Sequence, residues 1–310
     1  MTSERTTFEN FKKRIELMTN KPYVVSGDID ILLAQWATNH RFRLPSKKFF
    51  RTVRSVFVEK LRSIFGNVEF IPSCALQNPK LISASGEKAT LVTLDKTYVN
   101  SKFNIELTRT ALPDLTDGPL SPRQNHPDLA TQIKMLRKRL RRANTIVVYD
   151  DVIFTGHLLE SVCAELESAG FKIATVMCGV GIQSGIDRIN RRGLTVASSK
   201  AYDEVVDQVC ERDFYPGIDY SGRTLHTDHA VGLPYLLPFG NPCSWASIPR
   251  EQATNFSRFC IGQSIHLFQE IERQTCKLVL CSDIDRKLTN WPDNGTRFVD
   301  YLEVAESEIH

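Results

Sequence analysis

The stretch from Ile146 to Leu159, IVVYDDVIFTGHLL, constrains this chain more than any other. An apolar run meets two adjacent acids, passes through Thr155-Gly156, and opens HLLESVCAELESAG, whose apolar residues recur at helical spacing up to a stop at Gly170. The apolar run KIATVMCGV follows. Strand, helix and strand joined by short connections form a right-handed parallel crossover, because a twisted strand feeding a right-handed helix packs back on its sheet only that way. A further round in SGIDRINRRG and LTVASS extends the pattern. An α/β fold with a central, mainly parallel sheet flanked by helices is therefore expected.

The same segment carries chemistry. A helix N-terminus presents unbonded backbone N–H groups and the positive end of its dipole to an anion, Gly156 lets the backbone approach closely, and the Thr155 hydroxyl adds a donor. Asp150 and Asp151 face this loop with acceptors suited to a diol. Phosphate on one side and diol on the other describe a ribose 5-phosphate.

In its order of four apolar positions, two acids, two apolar positions, a further residue and Thr-Gly, the segment resembles the signature of the type I phosphoribosyltransferases. The resemblance is strongest over residues 144–200. It implies that Asp150 and Asp151 act at the catalytic centre, holding the ribose 2- and 3-hydroxyls directly or through Mg²⁺, with both carboxylates as the metal's protein ligands. It further implies that Thr155, Gly156 and His157 hold the 5-phosphate, and that phosphoribosyl pyrophosphate is the donor and a nucleobase the acceptor. The chain departs from the signature at Phe154, where the family has a small residue, and at Leu158, where it has Ser or Thr. One phosphate donor is thereby lost, at a cost of about 1.5–3 kcal/mol for a charge-assisted hydrogen bond.

Members of the family hold pyrophosphate on a second loop, and Ser26-Gly27, between the apolar runs YVV and ILLAQWA, is its candidate here. Asp28 and Asp30 carry the wrong charge for that role unless a metal intervenes. Two other readings of Asp28-Ile29-Asp30 stay open: a plain strand-to-helix turn, or the metal-binding acids of a nucleotidyltransferase. Lys96, Lys102 and Arg109, in or beside the β-patterned runs of 67–112, are further candidates for pyrophosphate oxygens.

Elsewhere the spacing predicts helices over 8–20, 47–65, from Asp128 through LATQIKMLRKRLRRA, and over 250–273. It predicts strands in VEFIP, ATLVTL, FNIELT and KLVLC. Residues 113–127, rich in Pro, Asp and Ser, read as a long loop and candidate lid. The run Arg137-Lys138-Arg139-Leu140-Arg141-Arg142 reads as a solvated helix face, with a protein or nucleic-acid partner as its functional alternative. Residues 1–212 are expected to form the phosphoribosyltransferase-like core, and 213–310 a hood or interaction region. There Tyr215, Tyr220, Tyr235, Phe239 and Trp245 either stack on a base or fill a core. His226 and His229 lack a third metal ligand at a recognisable spacing.

A net charge of +3 excludes a global basic field of the kind that coats nucleic acid. The eight cysteines form no CxxC pair, against a zinc ribbon or a disulfide scaffold. No apolar run approaches a membrane span, so a cytoplasmic protein is expected, as a homo-oligomer or a complex subunit. Two alternatives to transfer remain open: an altered nucleotide-binding effector or toxin subunit, as in bacterial phage defence, or a ribosyl hydrolase.

Overall fold

The computed structural model describes residues 21–77, 89–140 and 144–309, so the helix expected over 8–20 lies outside the described residues. Strand β1 (Tyr23–Ser26) is buried throughout and leads into α1 (Ile29–His40). Helix α2 (Lys47–Phe65) starts where the Ser46 hydroxyl accepts the Phe49 amide, and it buries Phe50, Val53, Phe57 and Leu61 along one stripe. Gly66, at φ +74°, ends it, since only glycine enters that conformation without a Cβ penalty. After it come β2 (Val68–Ile71), the short α3 (Ser73–Leu76), β3 (Thr90–Thr93), β4 (Leu107–Ala111) and β5 (Asp117–Pro122).

Helix α4 (Leu129–Arg139) opens on Asp128, whose carboxylate accepts the Thr131 amide. The central crossover follows as β6 (Thr145–Ile153), α5 (His157–Ser168), β7 (Lys172–Ile182), α6 (Gln183–Arg191) and β8 (Val196–Tyr202). The last third holds β9 (Asp207–Cys210), a 3-10 turn over Glu211–Phe214, β10 (Arg223–Leu225), β11 (Asp228–Leu233), α7 (Pro242–Trp245), α8 (Arg250–Thr275) and α9 (Phe298–Ser307).

Three sheets result. The largest is wholly parallel in the order β3-β6-β7-β8, with Thr145 to Ile153 paired to Lys172 to Gly181 across one register shift after Ile146. A second parallel sheet, β2-β1-β9, pairs Tyr23–Ser26 with Val68–Ile71 on one edge and Asp207–Cys210 on the other. The third, β11-β10-β4-β5, joins the middle of the chain to its last third. The mainly parallel α/β architecture expected from the crossover pattern is the one observed.

Packing does not follow a cut at residue 212. One core unites Tyr23, Trp36, Phe57 and Val68 with Phe214, Tyr235, Phe256, Phe268 and Phe298. A separate core fills the β3-β6-β7-β8 layer with Val92, Ile146, Val148, Val162, Leu166 and Val176. Because β1 lies between β2 and β9, the segments 23–71 and 207–309 share this one core. The aromatics of the last third act accordingly: Tyr215, Tyr235, Phe239 and Trp245 are buried, and only Tyr220 is half-buried.

Three segments differ from expectation: FNIELT enters a strand only from Leu107, its earlier residues making a single bridge, Asn104 to Thr93. Residues 113–127 are not a structureless loop, because β5 pairs antiparallel with β4 within them. KLVLC is not a strand: it makes a single bridge, Leu280 to Arg297, and turns into a 3-10 element at Cys281. Helix α9, unmarked in the sequence reading, closes the larger core with Phe298, Val299 and Leu302. Among the described residues no helix is long and apolar enough to cross a membrane.

Candidate active site

Strand β6 continues to Ile153, so Asp150 and Asp151 lie within it, and the loop proper is Phe154–Gly156. Gly156 sits at φ +76°, and a Cβ there would come within 2.9 Å of the Gly185 carbonyl oxygen. This close approach seats the loop on α6, where Arg188 Nε donates to the Thr155 carbonyl at 2.9 Å and Arg188 Nη1 to Glu160 at 3.1 Å. Thr155 and His157 are exposed, with 3.2 Å between the Thr155 hydroxyl and His157 Nδ1. Leu158 turns inward and packs on the central core, whereas Phe154 stands 40% exposed beside the loop. The 5-phosphate donors named from sequence are thus grouped at the helix N-terminus, and of the two departures from the signature one is exposed and the other packs on the core.

The acids are not alone. Asp95 follows β3, directly beside β6, and Asp28 follows β1, so two parallel sheets bring four carboxylates to their carboxyl ends. Open α/β sheets bind ligands at that end of the strands. Between the acids lies Arg212, just after β9. Its Nη1 donates to Asp28 at 2.9 Å, its Nη2 reaches Asp95 at 3.1 Å and Asp151 at 3.4 Å, and its backbone N–H also donates to Asp28 at 2.9 Å. The Tyr98 hydroxyl donates to Asp28 at 3.1 Å, and Cys210 Sγ lies 3.6 Å from Asp151.

One guanidinium among four carboxylates leaves negative charge in excess, and protonation reflects it. Burial pushes Asp28 up to about 8, partly opposed by Arg212. Burial, then Asp151 and Asp95, drives Asp150 well above the usual carboxylate range, and burial with Asp95 raises Asp151. Asp95 goes the other way: against the effect of burial, Arg212 and Arg123 hold it below its ordinary value.

Ser26 and Gly27 are placed differently from a ligand cradle. Both are buried, the Ser26 hydroxyl accepts from Gln208, and the Gly27 amide donates to the Ile71 carbonyl. The next two amides, of Asp28 and Ile29, point at the carboxylate of Glu211, at 3.2 and 3.4 Å. The turn does present donors to an anion, and the anion is a side chain of the same protein. Glu211 is fully buried and also takes Arg54 Nε at 2.9 Å, while Arg54 Nη2 holds Asp30 at 2.6 Å. Asp28 and Asp30 are accordingly engaged with arginines.

Of the basic candidates, Lys96 is paired with Glu106 at 2.9 Å and lies over the Tyr220 ring, and Lys102 is exposed. Arg109 differs. It is solvent-accessible, forms no side-chain hydrogen bond or ion pair among the described residues, and sits within electrostatic reach of Tyr235, Asp213, Cys210 and Asp151. Lys102 has no such partner among the described residues either, so it is the reach to Asp151 that makes Arg109 the better-placed candidate.

In the basic run, Arg137 bonds Asn144 and lies over Phe171, Arg139 lies over Phe103, and residues 141–143 fall outside the described residues. His226 and His229 rings are 6.3 Å apart, and among the described residues no three His, Cys, Asp or Glu side chains are grouped to hold a metal.

Arg212, Asp95, Glu211 and Arg54 were not singled out from sequence. One signal was available: YVVSGD, LVTLD, VVYDD and QVCERD are four short runs that each lead from apolar residues into acids. The recurrence of that pattern marks the strand ends that converge here.

The site belongs to the class in which a parallel α/β sheet offers carboxylates and a glycine-bearing helix N-terminus at its carboxyl edge. Comparison with known proteins was consistent with no family model and no curated protein by sequence. Among solved structures, the chain is similar to orotate phosphoribosyltransferase from Aeropyrum pernix (15% identity, 48% of this chain and 70% of that one, TM-score 0.22). It is also similar to UMP synthase of Leishmania donovani (14% identity, 42% and 26%, TM-score 0.26). A third is adenine phosphoribosyltransferase from Rhodothermus marinus (12% identity, 42% and 77%, TM-score 0.24).

Proposed function

We propose that this chain is a phosphoribosyltransferase-like protein that binds phosphoribosyl pyrophosphate at the carboxyl edge of β6 and transfers its phosphoribosyl group to a nucleobase. The observation that carries this reading is the joining, on one strand-helix unit, of the Asp150-Asp151 pair to the Thr155-Gly156-His157 loop, whose Thr155 and His157 are exposed. In it Asp150 and Asp151 accept the ribose hydroxyls, the loop donates to the 5-phosphate, and Arg109 meets pyrophosphate oxygens. Rigid placement of ribose and phosphate, with positive charge near the departing pyrophosphate, supplies what a cationic ribosyl transition state needs.

Any Mg²⁺ in this reading travels with the pyrophosphate, and binding does not depend on a protein-held ion. Direct chelation by both carboxylates fits poorly, because one Asp151 oxygen faces the Arg212 guanidinium and one Asp150 oxygen accepts the Asp151 amide. A substrate-borne Mg²⁺, which keeps most of its waters, asks little of the protein.

Isothermal titration with phosphoribosyl pyrophosphate and Mg²⁺ tests the proposal. Micromolar to millimolar binding that is lost in Asp150→Asn/Asp151→Asn is expected; no binding, or binding unchanged in that variant, refutes it. The guanidinium already seated among the acids favours a second reading, a ribose-phosphate-binding effector without transfer. Release of pyrophosphate only when a free base is added selects the transferase.

A further inference from the structure

The acid cluster has its own resident cation. The side-chain oxygens of Asp28, Asp95 and Asp151 come from three different strands and converge on one side chain, at 2.9, 3.1 and 3.4 Å from the Arg212 guanidinium. Carboxylates on separate strands do not gather by local geometry, and their mutual repulsion in a buried site is relieved by protonation or by a positive centre. A divalent ion bridging the acids is one solution. A guanidinium is another: it stays charged at every relevant pH, and its planar fork serves several carboxylates at once.

We propose that Arg212 takes the place of a metal ion in organising this cluster, so that the protein binds phosphoribosyl pyrophosphate without a divalent cation. The inference rests on the phosphoribosyl reading above. Several features of the chain favour it. Arg212 is held from both ends, by its backbone N–H on Asp28 and its guanidinium on Asp28, Asp95 and Asp151, so it is not a mobile surface side chain. Thr97 accepts a further bond from Nη1 at 3.3 Å and gives its own amide to Asp95 at 2.6 Å, which locks the carboxylate that faces the arginine. The next residue back, Glu211, is anchored by Arg54 and by the amides of Asp28 and Ile29, so the turn that carries Arg212 cannot swing away without breaking them. A metal ion sharing the same Asp151 oxygen would lie against the guanidinium, and like charges repel strongly out of water. Arg212 is therefore a positioning residue. It orients Asp151 toward the ribose and neutralises the cluster, while Arg109, within electrostatic reach of Asp151 and with no side-chain hydrogen bond or ion pair among the described residues, is left for the ligand's phosphates.

The test is isothermal titration of the full chain with phosphoribosyl pyrophosphate in excess EDTA and in excess MgCl₂, for the wild type and for Arg212→Gln and Arg212→Lys. The wild type is expected to bind with affinities within about threefold of each other in the two buffers. Arg212→Gln is expected to lose at least about tenfold in EDTA and to regain part of it with Mg²⁺, as the vacated oxygens take the ion; Arg212→Lys, which keeps the charge, should fall between. Wild-type affinity that drops tenfold or more on chelation overturns the proposal, as does Arg212→Gln binding like the wild type in EDTA. The wild-type comparison decides by itself if the variants fail to fold. Absence of binding in both buffers defeats the phosphoribosyl reading and this inference with it, whereas binding only with Mg²⁺ defeats this inference alone.

Discussion

Substituting Glu211 with glutamine probes the contact that ties the two ends of the chain together. Its carboxylate is inaccessible to solvent, faces Arg54 at 2.9 Å and receives the Asp28 and Ile29 amides. A glutamine has the right shape but only one acceptor oxygen. If that oxygen keeps the two amides, the NH₂ group faces the Arg54 guanidinium, donor against donor. Removing one partner of a buried ion pair costs about 3–5 kcal/mol, because the other charge is left uncompensated. Arg54 retains Asp30, which is 40% exposed and screened, so the lower end, about 3 kcal/mol, applies. For a protein of this size that corresponds to a fall of about 6 °C in Tm at about 2 °C per kcal/mol. Thermal denaturation followed by circular dichroism measures it. Adding Arg54→Met removes the stranded charge, so the double variant should be less destabilised than the sum of the singles by about 1–2 kcal/mol. A Glu211→Gln Tm within 1 °C of wild type, or strict additivity in the double variant, would refute the idea that this buried pair clamps the Ser26-Gly27 turn.

Two further outcomes follow from the site. Gly156→Ala forces a side chain into φ +76° with its Cβ 2.9 Å from the Gly185 oxygen, so a loss of about 1–3 kcal/mol and at least tenfold weaker phosphoribosyl pyrophosphate binding are expected; unchanged melting and affinity would contradict the loop geometry. Stability should also fall as pH rises from 5 to 8.5. Asp28, Asp150, Asp151 and Glu211 all have folded-state values raised above their ordinary ones, so the folded protein holds protons that the unfolded chain releases. Their contribution is complete below the ordinary carboxylate values and is lost as pH climbs through the folded ones, which for Asp28 is about 8. Each extra bound proton adds a slope of about 1.4 kcal/mol per pH unit. Asp95, whose value is lowered, acts in the opposite sense only at more acid pH, its contribution being already complete above its ordinary value. A Tm that rises with pH across this window would contradict the surplus of carboxylates.

The central crossover was legible in the sequence because everything that makes it is local. Apolar β-branched runs, a helical period between them, Gly156 at the turn and Gly170 at the stop announce β6, α5 and β7 from neighbouring residues alone. The same locality explains the misses. β5 hides in residues 113–127 because its partner β4, not its own composition, makes it a strand, and KLVLC looks like a strand but finds no neighbour to complete a ladder. The aromatic residues after 213 carry no mark of whether they face a base or a core. Their burial follows from β9 pairing with β1, a contact between residues nearly two hundred positions apart.

For the site, residues 146–159 by themselves determined the acid pair and the loop that follows it, since both lie on one strand-helix unit, and with them the ribose-phosphate ligand proposed above. What only the tertiary structure decided is the charge balance. Arg212 comes to Asp28, Asp95 and Asp151 because two parallel sheets end at the same place, and Glu211 takes the Ser26-Gly27 turn for the same reason. Charges interact through space, and the chain order along which a sequence is read holds no record of which distant carboxylate a buried arginine will meet.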